Sequence, residues 1–164
     1  MTRPELIRRL EFETMLLTRR ILDYDSRRGD RDLDRSGYLV LSRIRIQGPM
    51  SIGELSAAFA LDRSTLHRQT AALSKCGLAE RIPDPDGGIA RKFRITARGA
   101  CVLDHERARK LAALRDVLID WSPEDIDRLA AYLYEFNSGI ERLSSEPWPR
   151  PGSDRTRDTF GCIG

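Results

Sequence analysis

Ser51 and Asp62 are helix-capping residues eleven positions apart, so the residues between them hold one short helix and a tight turn. In Ser51-Ile52-Gly53-Glu54 the serine caps the backbone N–H of Glu54 while Glu54 reaches back, which fixes where the first helix begins. The chain turns at Leu61-Asp62, and Asp62 caps a second helix from about Arg63 to Lys75. Leu66, Thr70 and Leu73 recur at helical spacing and pack inward. Ser64, Thr65, His67, Arg68 and Ala71 then point away. Small hydroxyls, one histidine and one arginine suit a DNA groove. Two short helices in this order are the sequence form of a helix-turn-helix.

The next residues extend that reading. Gly77 lies just past the last periodic position, where a left-handed residue ends a helix, and Leu78 to Ile82 alternates as a strand does. Pro83-Asp84-Pro85-Asp86-Gly87-Gly88 is a dense turn signal. Ala90 to Ile95 returns with Arg91, Phe93 and Ile95 on one side and Lys92 and Arg94 on the other. A hairpin directly after such a helix makes a winged helix, and Arg91, Lys92 and Arg94 are candidates to lie along phosphates.

Charge is distributed in the same sense. The net charge of the 164 residues is +3, yet the segment 36–99 holds ten basic and five acidic side chains, the asymmetry expected of a chain that reads a polyanion. Length and a hydrophobic share of 40% fit one domain with an extension. No run of eighteen apolar residues occurs, and the first residues lack the apolar core of a signal peptide, so the expected location is cytoplasmic, away from membranes.

Around this centre the chain is read as helices. Pro4 opens one that runs from 4 to 24 on Leu6, Ile7, Leu10, Leu17, Ile21 and Leu22, and at about 30 Å it is longer than a small core can cover, which leaves part of it for another chain. Asp25 to Asp34 reads as a loop, and Tyr38, Leu39, Leu41 and Ile44 mark a supporting helix that ends at Gly48-Pro49. Thr96 caps a helix over 97–120, and Ser122-Pro123 starts another over 123–143. In that last helix Ile126, Leu129, Leu133, Phe136, Ile140 and Leu143 form a heptad-like seam. Residues 144–164, with three prolines, three glycines and no periodicity, read as a flexible tail.

Other chemistries find little support. Cys76, Cys101 and Cys162 fit neither a disulfide framework nor a zinc motif. Cys76, close to Lys75, raises the alternative of a redox-responsive regulator, against the reading of a small buried or half-buried residue at a helix C-terminus; Cys101 reads as core. The two histidines, His67 and His105, have no ligand spacing, and no nucleophile–base pair, phosphate loop or carboxylate pair is present, so no cofactor, metal or enzymatic activity is expected. His67 has two readings, a base or phosphate contact and a cover for the helix surface. A winged helix used for protein contacts remains the alternative to DNA binding.

The order of elements resembles the MarR family of bacterial transcriptional regulators, and the likeness spans residues 1 to 143. It is carried by GPMSIGELSAAFALDRSTLHRQTAALSKCGLAERIPDP and by RITARG after the wing. The resemblance implies a mostly α fold with a small β-hairpin wing: a winged helix-turn-helix over 36–99 flanked by N- and C-terminal dimerisation helices over 4–24 and 97–143. It implies a homodimer, a repressor placed on a palindromic operator in double-stranded DNA and released by a small-molecule effector. Ser64, Thr65, His67 and Arg68 fall at groove-facing positions, and Met15, Tyr38 and Leu41 near the effector. Two departures stand out: Gly87-Gly88-Ile89 replaces the Asp-Arg common near the wing tip, and Ala71-Ala72 replaces the Asp-Arg that often follows the S-T-x-x-R element.

Overall fold

The computed structural model describes residues 2–26, 33–144 and 147–150. They fall into two compact units, one up to Arg35 and one from Ser36 onward.

The first unit carries helix α1, Arg3–Ser26, slightly longer than the span 4–24 read from its periodicity. Its apolar side chains Leu6, Ile7, Leu10, Phe12, Met15 and Leu17 all stand exposed. Ile21 and Leu22 have side chains outside the described set, as do residues 27–32 of the expected loop.

After Arg35, which ends the first unit and begins α2 (Arg35–Gln47), the second unit continues with β1 (Met50–Ser51), α3 (Ile52–Phe59), α4 (Arg63–Lys75), β2 (Ala79–Ile82), β3 (Lys92–Ile95), α5 (Ala97–Val117) and α6 (Pro123–Ser144). Local signals set most of these boundaries. Ser51 and Glu54 form the reciprocal capping box, with Glu54 N to Ser51 Oγ at 3.2 Å and Ser51 N to Glu54 Oε2 at 2.6 Å. Gly77 holds φ +70 and ends the α4 turn in the left-handed region that glycine reaches without strain. Thr96 caps α5 by accepting from Gly99 N at 3.0 Å, and its own hydroxyl donates to Gly77 O at 2.7 Å.

One core holds the winged unit together. Val40, Leu41 and Ile44 from α2, Leu55 and Ala58 from α3, Leu66 and Leu73 from α4, with Met50, Leu78 and Phe93 from the sheet region, are all buried. Each fully buried leucine contributes about 2 kcal/mol of transfer free energy. Leu41 is therefore a fully enclosed core residue. Thr70 is buried with them, its hydroxyl donating to Leu66 O at 2.8 Å, so the polar group costs little.

The sheet has three antiparallel strands in the order β1-β3-β2, where the sequence reading placed a two-stranded hairpin. The added strand, Met50–Ser51, pairs with Phe93 and Lys92. Two residues carry no period of their own, which is why this strand leaves no mark in the sequence. Strand β3 also starts at Lys92, two residues later than the expected return at Ala90.

Three further expectations change. Helix α5 ends at Val117, three residues short of 120. Cys101, read as core, is exposed on α5, and Cys76, read as buried or half-buried, is exposed at the C-cap of α4; the apolar neighbours of Cys101 in sequence lie on other sides of the helix. Of the segment read as a flexible tail, residues 147–150 lie against α3 and α6, while 151–164, Cys162 included, are outside the described residues.

Candidate nucleic-acid interface

Helix α4 presents the candidate surface. Burial of Leu66, Thr70 and Leu73 fixes its rotation, and His67 and Arg68 are thereby placed on the exposed side. Arg68 has no ion pair with a carboxylate among the described residues, and Ala71, Ala72 and Lys75 continue the exposed strip one and two turns further. The sequence reading passed over Lys75 and the exposed Arg63; their spacing of seven from Arg68 and four from His67 is the signal that could have found them.

Ser64 and Thr65 are occupied at the start of the helix. The Asp62 carboxylate accepts from Thr65 N at 2.8 Å and from Thr65 Oγ1 at 2.9 Å, and Ser64 Oγ donates to it as well. These bonds, the one from Ser64 foremost, hold the Asp62 carboxyl down to a pKa of about 2. Asp62 therefore stays ionised and cancels the positive end of the helix dipole, so this N-terminus is a poor phosphate seat. With their protons turned to Asp62, the two hydroxyls can offer lone pairs outward but not a donated hydrogen bond.

The wing cations divide into three cases. Lys92, expected along phosphates, is only 12% exposed, and its ammonium lies 3.0 Å from Asp84, 3.3 Å from Asp86 and 3.7 Å from Glu54. The hydrogen bond to Asp84 is the main reason its pKa is raised. The register explains the placement: Ser51 pairs with Lys92, which brings Glu54, three residues on, over the root of the wing. Lys92 thus ties the wing to α3, a role that strand alternation alone cannot reveal. Arg94 sits directly across from Glu80 and pairs with it at 2.7 Å, exposed and open to exchange with another anion. Arg91 is exposed, and among the described residues its side chain makes one long hydrogen bond, 3.5 Å, to Arg81 O.

At the tip, Gly87 N donates to Asp84 O at 3.1 Å and Asp86 N to Asp84 Oδ1 at 3.0 Å, closing a tight turn that leaves Ile89 wholly in solvent. Among the described residues there is no group of three His, Cys, Asp or Glu side chains placed to hold a metal ion, and no helix is long and apolar enough to cross a membrane.

Known proteins share this arrangement. A family model described as MarR family matches residues 31–88. The uncharacterized HTH-type transcriptional regulator YxaD of Bacillus subtilis (strain 168) is 33% identical over 132 residues, covering 80% of this chain and 92% of that one. Among solved structures, a MarR family protein from Bacillus stearothermophilus superposes with a TM-score of 0.67 at 20% identity, over 84% of this chain and 94% of that one. Streptococcus pneumoniae FabT, solved in complex with DNA, gives a TM-score of 0.67 at 17% identity, over 85% of this chain and 99% of that one. The sequence match over most of both chains, the family model across the helix-turn-helix and the shared winged fold agree: this chain belongs to the MarR family of transcriptional regulators.

Proposed function

We propose that the protein is a sequence-specific repressor that binds double-stranded DNA as a homodimer on a palindromic operator, one α4 helix per subunit entering the major groove. The observation that carries this reading is the exposed Arg68–His67 face of α4, whose guanidinium is unspent on any carboxylate among the described residues. An arginine so placed can make the bidentate contact with guanine that specifies a base pair. Arg63 and Lys75 flank it as phosphate contacts, Arg91 and Arg94 serve the backbone from the wing, and Ser64 and Thr65 line the groove as acceptors. Lys92 has no place in this set. The DNA complex of FabT, a protein with the same fold, supports the assignment of a winged helix of this kind to duplex DNA.

The dimer rests on apolar surface that a single chain leaves bare. On α6, Leu129, Leu133, Phe136 and Ile140 follow at spacings of four, three and four, and each is about as open to solvent as its neighbours in the seam, from 38% to 47%. Leu111 and Leu114 on α5 and the α1 residues named above are exposed in the same way. Seams of this kind are covered by another helix. The α4 face, by contrast, has no large apolar anchor, which speaks against a winged helix that recognises protein.

Selection of bound duplexes from a random pool, combined with sedimentation of the free chain, tests the proposal. We expect twice the chain mass in solution and selected sequences with two inverted half-sites about one helical turn apart. A monomer, or a pool that never converges, would refute it.

A further inference from the structure

Pro147-Trp148-Pro149-Arg150 follows α6 in a stretch whose composition suggests a loose tail, yet every side chain in the tetrapeptide after Pro147 is half-buried. The Trp148 ring meets Phe59 of α3 edge-on, with centroids 5.3 Å apart and planes at 85°. The guanidinium of Arg43, a buried residue of α2, lies 4.8 Å from the centre of the same ring. On the other side the segment grips α6. Arg150 Nη1 donates to Glu141 Oε1 at 2.8 Å, Trp148 N donates to the same oxygen at 3.3 Å, and the Arg150 guanidinium lies 5.5 Å from the Tyr134 ring centre. Arg150 Nη1 also donates to Trp148 O at 2.6 Å, which closes the segment on itself. The Glu141 carboxyl is held below its ordinary pKa, chiefly by Arg150, with the charge of Arg43 adding to the effect.

We propose that Pro147–Arg150 is a strap that locks α6 to the helix-turn-helix through Trp148, and that its seating sets the affinity for DNA. Two prolines flanking the tryptophan restrict the backbone before it docks, so seating costs less entropy than an ordinary tail would lose. One end of the strap is fixed to the helix that carries the exposed apolar seam, the other to α2 and α3, which support α4. Regulation of DNA binding rests on the function proposed above; the mechanical link does not. Two recognition helices must present themselves at one separation to meet two half-sites. A seated strap narrows the positions that α2 and α3 can take relative to α6, so less freedom is lost when DNA binds. Displacing Trp148 from Phe59 and Arg43 releases that restraint and weakens binding.

Four forms test the strap: the full chain, a chain ending at Arg150, a chain ending at Ser145, and full-length Trp148→Ala. Backbone hydrogen exchange over Ile52–Phe59 and over the second half of α6 reads the link directly. Affinity for a duplex selected from a random pool by the full chain reads its consequence. We expect the chain ending at Arg150 to match the full chain in both. Loss of the strap, or of Trp148 alone, speeds exchange in both helices together and weakens duplex binding at least fivefold, with the far-UV spectrum unchanged. Exchange that rises in only one helix, or in neither, overturns the link, and equal affinities for the chains ending at 145 and 150 overturn its role in DNA binding. Should Trp148→Ala fail to fold, Glu141→Gln leaves the ring intact and changes a residue of α6, not of α3. Faster exchange over Ile52–Phe59 in that variant supports the strap, and unchanged exchange there refutes it. A full chain that binds no duplex contradicts the proposed function while the exchange result still decides the link.

Discussion

Replacing Gly99 with alanine tests how the wing is joined to the long helix that follows it. Gly99 lies in the first turn of α5, two residues after Ala97, against the backbone of Leu78 between α4 and β2. A Cβ built there would lie 2.0 Å from Leu78 O, 2.8 Å from Leu78 C and 3.0 Å from Ile95 Cγ1. A carbon and a carbonyl oxygen approach no closer than about 3.3 Å even in favourable contacts, so more than about 1 Å of movement is needed. Leu78 is poorly placed to give way. Its carbonyl accepts from Thr96 N at 3.1 Å and its N–H donates to Leu73 O at 2.9 Å. Overpacking of this kind costs about 1–3 kcal/mol, and loss of the Thr96 hydrogen bond adds about 1 kcal/mol. Alanine returns up to about 1 kcal/mol through its better helix propensity. The net expectation is a loss of about 1–3 kcal/mol, or roughly 3–10 °C in Tm for a chain of this size. Gly53→Ala in α3 is the control, because its nearest atoms, in the Arg63 and Ser51 side chains, are 3.8 Å away. Thermal and urea unfolding at a fixed protein concentration would compare the two. A Gly99→Ala protein as stable as Gly53→Ala would refute the steric argument.

Other perturbations separate residues that look alike in the sequence. Arg91→Ala should reduce the slope of log affinity against log salt by about 1, whereas Lys92→Met should leave that slope in place and lower the urea midpoint, because Lys92 holds the wing to Glu54 and Asp84; the reverse pattern would exchange their roles. Asp62→Ala should lower the urea midpoint at neutral pH by removing the cap of α4. Because the Asp62 pKa falls from 3.8 to about 2 on folding, its stabilisation is present above 3.8 and lost as pH drops toward 2. The difference between wild type and variant should therefore shrink in that window, and a constant difference across it would point to another cause. Leu133→Asp, in the bare seam of α6, should yield a monomer by sedimentation, and an unchanged mass would place the interface elsewhere.

What the sequence discloses is mainly local. Ser51 with Glu54, Asp62, Gly77 and Thr96 each satisfy backbone groups within a few residues of themselves, and each sits where its chemistry says it should. The inward face of α4 was equally legible, since Leu66, Thr70 and Leu73 lie on one helical face and all are buried. Long-range pairings were not. Alternation puts Lys92 on the outer side of a strand, but only the pairing of Ser51 with Lys92 brings Glu54 to it. Ser64 and Thr65 have the right spacing to face a groove, yet the same spacing lets them cap through Asp62, and the cap takes their protons. Trp148 was illegible for a different reason: its partners Phe59 and Arg43 lie about ninety and a hundred residues away, and a segment without periodicity gives no hint of where it packs.

The most direct measurement is the affinity of Arg68→Ala for a duplex selected by the wild-type chain, titrated at one salt concentration beside wild type. With the fold and the oligomeric state unchanged from wild type, we expect binding to weaken by about 1–3 kcal/mol, close to fivefold at the low end and over a hundredfold at the high end, and discrimination to relax at one base pair in each proposed half-site. Identical isotherms for the two proteins would contradict the placement of α4 in the groove.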